Sequence, residues 1–148
     1  QRQMCIRDSQ GARVLGVEAS AEAIAMAEVN ARRNGLSERC IFRVADLYQA
    51  APESGVLAAT EGHRGFSNLH PAAAVIDPPR SGAGVNLEAW MSNSALQQLV
   101  YVSCNPQSFA DDAQRLKRVG LRLREVGIYD MFPQTAHVET IGHFVRDR

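Results

Sequence analysis

Short apolar runs rich in β-branched residues recur along this chain and alternate with segments of helical periodicity. Ala12–Val17 is a strand candidate ending at the acid Glu18. Ser20 can cap an alanine-rich helix from Ala21 to about Asn34, with Gly35 as its stop. Cys40–Val44 predicts a second strand leading to Asp46, and Ala73–Ile76 a third that runs into Asp77-Pro78-Pro79. Between them, Ala51–Pro71 mixes proline, glycine, serine and two histidines without periodicity and reads mostly as loop. A helix is expected over Leu87–Gln98, weakened by Asn93 and Ser94. Leu99–Val102 is a buried strand stopping at Ser103, after which Asn105 as N-cap and Pro106 as first helical residue open a helix through roughly Leu116. Beyond Gly120, Arg122–Tyr129 and Val138–Val145 predict two strands joined by a turn that contains Pro133. Strands alternating with helices give an α/β fold, a mostly parallel sheet closed by an antiparallel C-terminal hairpin.

Composition narrows this picture. The 148 residues suffice for one domain with its own core, and 45% hydrophobic with 22% charged residues is an ordinary globular balance. Sixteen basic residues offset sixteen acidic ones, so no global field draws the chain to nucleic acid or to an anionic membrane. No apolar stretch approaches the roughly 18 residues of a spanning helix, and no membrane partner is expected. Three cysteines, Cys5, Cys40 and Cys104, form neither a disulfide framework nor a CxxC pair, which favours a reducing, cytoplasmic home. Residues 1–9 (QRQMCIRDS) carry neither periodicity nor the apolar core of a signal peptide. They are read as a non-native segment resembling translated adapter sequence, which leaves 10–148 as the part that folds.

Ligands of open α/β sheets bind beyond the carboxyl ends of the strands. Here those ends carry Glu18, Asp46, Asp77 and Cys104 in turn. Each acid taken alone is equally a loop residue or a helix cap. As functional groups, Glu18 suits ribose hydroxyls and Asp46 an adenine amine. Cys104 lies between a strand end and a helix start, where unpaired N–H groups and the helix dipole favour a thiolate nucleophile. The alternative is an inert buried thiol. In DPPRSGAG, residues 77–84, two prolines fix consecutive φ angles and glycines follow, giving a rigid carboxylate beside a flexible lip. That pattern fits a base-binding edge, or simply a tight strand-to-helix connection. His137 and Glu139 share a face of an extended segment, and a carboxylate in so apolar a strand is either a general base or an exposed edge charge. His143 is read as structural, and no spacing suits a metal. Arg115, Lys117, Arg118, Arg122 and Arg124 form a basic stretch, read as a solvated face in preference to an RNA groove.

Together, IDPPRSGAG (76–84), YVSCNPQSFADD (101–112) and DMFPQTAHVETI (130–141) resemble the RNA uracil-5-methyltransferase family, in matching order across about residues 12–146. The resemblance implies a Rossmann-like class I methyltransferase sheet that uses S-adenosylmethionine, needs no metal, and acts on uridine in tRNA or rRNA with no obligate protein partner evident. It implies that Cys104 is the nucleophile and Glu139 the base. Glu18 and Asp46 would hold the cofactor, and Asp77 would lie between cofactor and target base, with Pro78 and Arg80 along the same substrate edge. The chain departs from the family pattern at its start. The first strand and its glycine-rich loop, an upstream aromatic and glutamine segment, and an oligonucleotide-binding barrel are not in this sequence. A fragment that is inactive by itself is therefore expected. Two other readings stay open: an amino-methylating enzyme that uses Asp-Pro-Pro to hold an amine, and a truncated α/β module kept for binding.

Overall fold

A computed structural model describes residues 12–49, 71–131, 133–135 and 138–147. They fall into two compact units, Gln1–Leu69 and His70–Arg148. The loop expected over Ala51–Pro71, with His63 and His70, lies almost wholly outside the described residues, as do residues 1–9, Phe132 and His137. Among the described residues no helix is long and apolar enough to cross a membrane, and no group of three or more His, Cys, Asp or Glu could hold a metal ion.

In the first unit, β1 (Val14–Glu18) pairs in parallel with β2 (Cys40–Val44), from Val14 opposite Cys40 to Glu18 opposite Val44. α1 (Ala21–Arg33) connects them. Ser20 has an extended backbone and its hydroxyl accepts the Ala23 N–H at 3.2 Å, which satisfies one of the helix's orphan donors. Ile24 and Ala31 are the buried positions of α1, and Cys40 and Ile41 are buried in β2.

The second unit holds β3 (Ala73–Ile76), α2 (Leu87–Met91), β4 (Gln98–Ser103), α3 (Pro106–Arg118), β5 (Leu121–Tyr129) and β6 (Glu139–Arg146). Its sheet runs β3-β4-β6-β5; β3 is parallel to β4, and β6 is antiparallel to both its neighbours. The antiparallel closing hairpin is thus as the sequence predicts, with β6 inserted beside β4 and β5 left at the edge. Leu99, Tyr101, Leu116, Leu121 and Phe144 have no exposed surface, each burial being worth about 1.5–3 kcal/mol before entropy. The Phe109 ring stands edge-on to Tyr101 at 5.4 Å and tilts against Phe144 at 5.9 Å. It can lie so close to β6 only because residue 142 is glycine: a Cβ there would come within 2.5 Å of Phe109 Cζ.

The helix expected over Leu87–Gln98 ends at Met91 instead, and Gln98 already belongs to β4. Asn93 folds its side chain back onto the Ala95 N–H at 2.9 Å, a local turn that competes with the helix. Arg146, from the far end of the chain, donates to the carbonyls of Met91 (2.7 Å), Asn93 (3.1 Å), Leu96 (2.6 Å) and Val119 (2.7 Å). Carbonyls that would have continued the helix are thereby spoken for.

Candidate active site

The Cys104 junction is held from both sides. The Ser103 hydroxyl donates to the Asn105 carbonyl at 3.0 Å and accepts the Asn105 N–H at 3.1 Å, closing a small loop around Cys104. Asn105, extended at φ −136 and ψ 105, caps α3 by accepting the Gln107 N–H at 3.1 Å. Its amide nitrogen donates to the Arg80 carbonyl at 2.9 Å, joining the cysteine turn to the Asp77–Arg80 turn. Cys104 is half-buried, whereas Cys40 is buried.

Strand register brings the second candidate level with the first. The β4–β6 ladder ends with Ser103 opposite Thr140, so Cys104, in the bend just after β4, and Glu139, the first residue of β6, flank the same end of that ladder. Glu139 is half-buried on an interior strand, flanked on its other side by Tyr129 of β5, which removes the edge-charge reading. Tyr101 points to the α3 side, where its hydroxyl donates to Asp112 at 2.5 Å. Alternation then turns Val100 and Val102 to the opposite face, with Ile141 and Glu139 on that same face of β6. Ile76, the last residue of β3, pairs with Tyr101, and Asp77 follows it at the same end of the sheet. Asp77, Cys104 and Glu139 thus lie at one end of the sheet, with Pro78 half-buried and Arg80 exposed in the adjoining turn.

The lip after Asp77-Pro78-Pro79-Arg80 is fastened, contrary to the flexible segment the sequence suggested. Asp112 is buried on α3, and its Oδ2 accepts both the Tyr101 hydroxyl and the Ala83 N–H, the latter at 2.7 Å. Gly82 has φ +92, and a Cβ there would lie 2.8 Å from that same Oδ2, so glycine is required on both counts. Arg115 pairs with Asp112 at 2.9 Å and donates to the Gly84 carbonyl at 2.7 Å and to Glu88 at 3.2 Å. The solvated-face reading of the basic stretch fails for Arg115, which lies half inside this network. It holds better for Arg118, Arg122 and Arg124, exposed in ion pairs with Glu88, Asp147 and Glu125. Sequence reasoning did not single out Asp112. The signal was present: Phe109, Asp112 and Leu116 share one helical face, and an acid on an apolar face requires partners.

In the first unit, Glu18 and Asp46 both stand at the carboxyl end of the β1–β2 pair, joined at the backbone by Ala45 N–H donating to the Glu18 carbonyl at 3.0 Å. Glu18 Oε1 accepts the Ser20 N–H at 3.1 Å, and Asp46 Oδ1 accepts the Tyr48 N–H at 2.9 Å. Each acid thus also does the local work that the plain loop reading assigns it.

A model of the tRNA (Uracil-5-)-methyltransferase family matches residues 7–147. The chain belongs to that family. Relatives include the 23S rRNA (uracil(1939)-C(5))-methyltransferase RlmD of Acidithiobacillus ferrooxidans, 44% identical over 142 residues, covering 92% of this chain and 28% of that protein. The protein of the same name from Nitrosococcus oceani is 45% identical over 139 residues, covering 93% of this chain and 29% of its own length. The chain thus spans under a third of these relatives. Among solved structures, the tRNA (uracil-54, C5)-methyltransferase of Pyrococcus abyssi, in complex with S-adenosyl-L-homocysteine, superposes with a TM-score of 0.72 at 29% identity. That match covers 93% of this chain and 30% of the other. The METTL16 methyltransferase domain, with a TM-score of 0.59 at 16% identity and coverage of 93% and 52%, shares the fold alone. The family's Rossmann-like α/β methyltransferase architecture is therefore the fold of this chain.

Proposed function

We propose that this chain is the catalytic part of an S-adenosylmethionine-dependent enzyme that methylates C5 of a uridine in RNA through a covalent cysteine adduct. The observation that supports the reading is the β4–β6 register, whose last pair, Ser103 with Thr140, adjoins Cys104 on one strand and Glu139 on the other. C5 of uracil is a weak nucleophile. Addition of the Cys104 thiolate to C6 forms the S–C6 bond and moves the C5–C6 π electrons onto C5 and the C4 carbonyl. Bound S-adenosylmethionine would supply the electrophilic methyl group for C5. Glu139 then accepts the C5 proton; the electron pair it releases re-forms the double bond and expels the Cys104 sulfur. One thiolate and one carboxylate suffice on the protein side. Half-burial of Glu139 suits a base that must meet a carbon acid away from bulk water.

Glu18 and Asp46 fit the cofactor chemically: each is a carboxylate at a strand's carboxyl end with one oxygen on a local N–H, leaving acceptors of the kind that ribose hydroxyls and an adenine amine need. Asp77, Pro78 and Arg80 form the edge for the target base. The similarity to enzymes named for 23S rRNA, at 44–45% identity, against 29% for one named for tRNA, favours a ribosomal substrate. A cytoplasmic location goes with that reading. The test is mechanism-based trapping. With the full-length protein and RNA containing 5-fluorouridine, a covalent complex forms through Cys104, because fluorine cannot leave C5 as a proton does. An adduct that still forms in Cys104→Ala sinks the nucleophile assignment.

A further inference from the structure

Tyr129 ends β5 directly opposite Glu139, on the same face of the sheet. It is 51% exposed, in contrast to Tyr101, which is fully buried. Its ring is not splayed at random. A Cβ on Gly127 would lie 3.0 Å from Tyr129 Cε2 and 3.4 Å from its hydroxyl oxygen, so the ring reclines along its own strand over the gap glycine leaves. An aromatic held half in water gains little as core. As a stacking surface beside a proton-accepting carboxylate it has an evident use.

Resting on the function proposed above, we propose that Tyr129 contacts the substrate, its ring taking by stacking a base adjacent to the target uridine. The distances decide between target and neighbour. Adjacent strands lie about 4.8 Å apart, so β5, two strands from β4, puts Tyr129 roughly 10 Å from the Cys104 row. One pyrimidine engaged by both Cys104 and Glu139 cannot also cover that ring. The next nucleotide of a splayed strand can, and base-on-aromatic stacking is a common means of holding single-stranded RNA. Because every base has a π-face, the contact tolerates sequence and favours an unpaired loop over a duplex.

The experiment uses the full-length protein and reads the Kd for a short single-stranded RNA of adenosines around one uridine, alongside the KM and kcat of methylation. Tyr129→Leu is expected to raise Kd and KM at least about tenfold while moving kcat less than about threefold; Tyr129→Phe stays within about threefold of wild type. Gly127→Ala keeps the tyrosine but displaces its ring, so it raises Kd about three- to tenfold without lowering Tm. That outcome separates a contact with RNA from a structural role. Wild-type Kd in Tyr129→Leu overturns the proposal, as does an equal loss in Tyr129→Phe, which would assign the effect to the hydroxyl. Wild-type protein that binds this RNA but methylates no uridine either in it or in unmodified 23S rRNA defeats the functional reading instead, and the Kd series still decides the role of Tyr129.

Discussion

Two strand-to-helix junctions in this protein solve the same local problem to different standards. At Glu18-Ala19-Ser20 and at Ser103-Cys104-Asn105, a strand ends, a polar residue with extended backbone caps the next helix, and a chemically useful side chain sits at the junction. The first junction's side-chain hydrogen bonds span at most three residues. The second reaches 25 residues back, from Asn105 to the Arg80 carbonyl. Behind it, Asp112 on α3 reaches 29 residues back to the Ala83 N–H. The lesson is about tolerance. A carboxylate that accepts hydrogen bonds from a small ligand can adjust with the ligand, whereas a nucleophile and a base must be fixed relative to each other before substrate arrives.

The sharpest break is at the proposed nucleophile. Cys104→Ala is expected to lower methylation by on the order of 10^3-fold or more with little change in Tm, measured by tritium transfer to RNA; activity within tenfold of wild type removes Cys104 from the chemistry. Next comes the remote fastening. Asp112→Ala removes one of the two carboxylates paired with Arg115 and the acceptor of both the Tyr101 hydroxyl and the Ala83 N–H, a loss of about 2–4 kcal/mol by denaturant unfolding. A loss under about 1 kcal/mol means that the lip is not held as described. Asn105→Asp separates the two duties of that residue. It keeps an N-cap acceptor and deletes the donor to Arg80, so unfolding free energy falls by about 1 kcal/mol or less while methylation falls roughly two- to tenfold. Equal activity in Asn105→Asp and wild type would make the second junction as local as the first. The smallest effect belongs to the first junction: Ser20→Ala costs about 1 kcal/mol of stability and leaves kcat within twofold, with at most a modest change in cofactor affinity.

What the sequence made legible follows the same local-versus-remote line. Cys40–Val44 and Ala73–Ile76 are strands over the residues expected of them, because a β-branched run bounded by turn signals is local information. The α3 start was readable from Asn105-Pro106 for the same reason, although the helix continues to Arg118. The α2 error arose because the residue that ends that helix, Arg146, lies 55 positions from Met91. Of the site, the residue types at the strand ends were visible, but their alignment was not. No local pattern states that Thr140 pairs with Ser103; only the insertion of β6 between β4 and β5 does. Asp112 escaped notice because an acid beside Asp111 reads as solvated until its helical face is counted.

The pairing of Cys104 with Glu139 is tested most directly in Glu139→Gln with ordinary, unfluorinated RNA. Without a proton acceptor at that position, addition and methylation proceed but elimination stalls. Mass spectrometry of the digested complex should then find the peptide containing Cys104 linked through sulfur to 5-methyluridine, accumulating as turnover falls by about 10^2–10^4-fold. Turnover at the wild-type rate with no such linked peptide, or linkage through any other residue, contradicts the account.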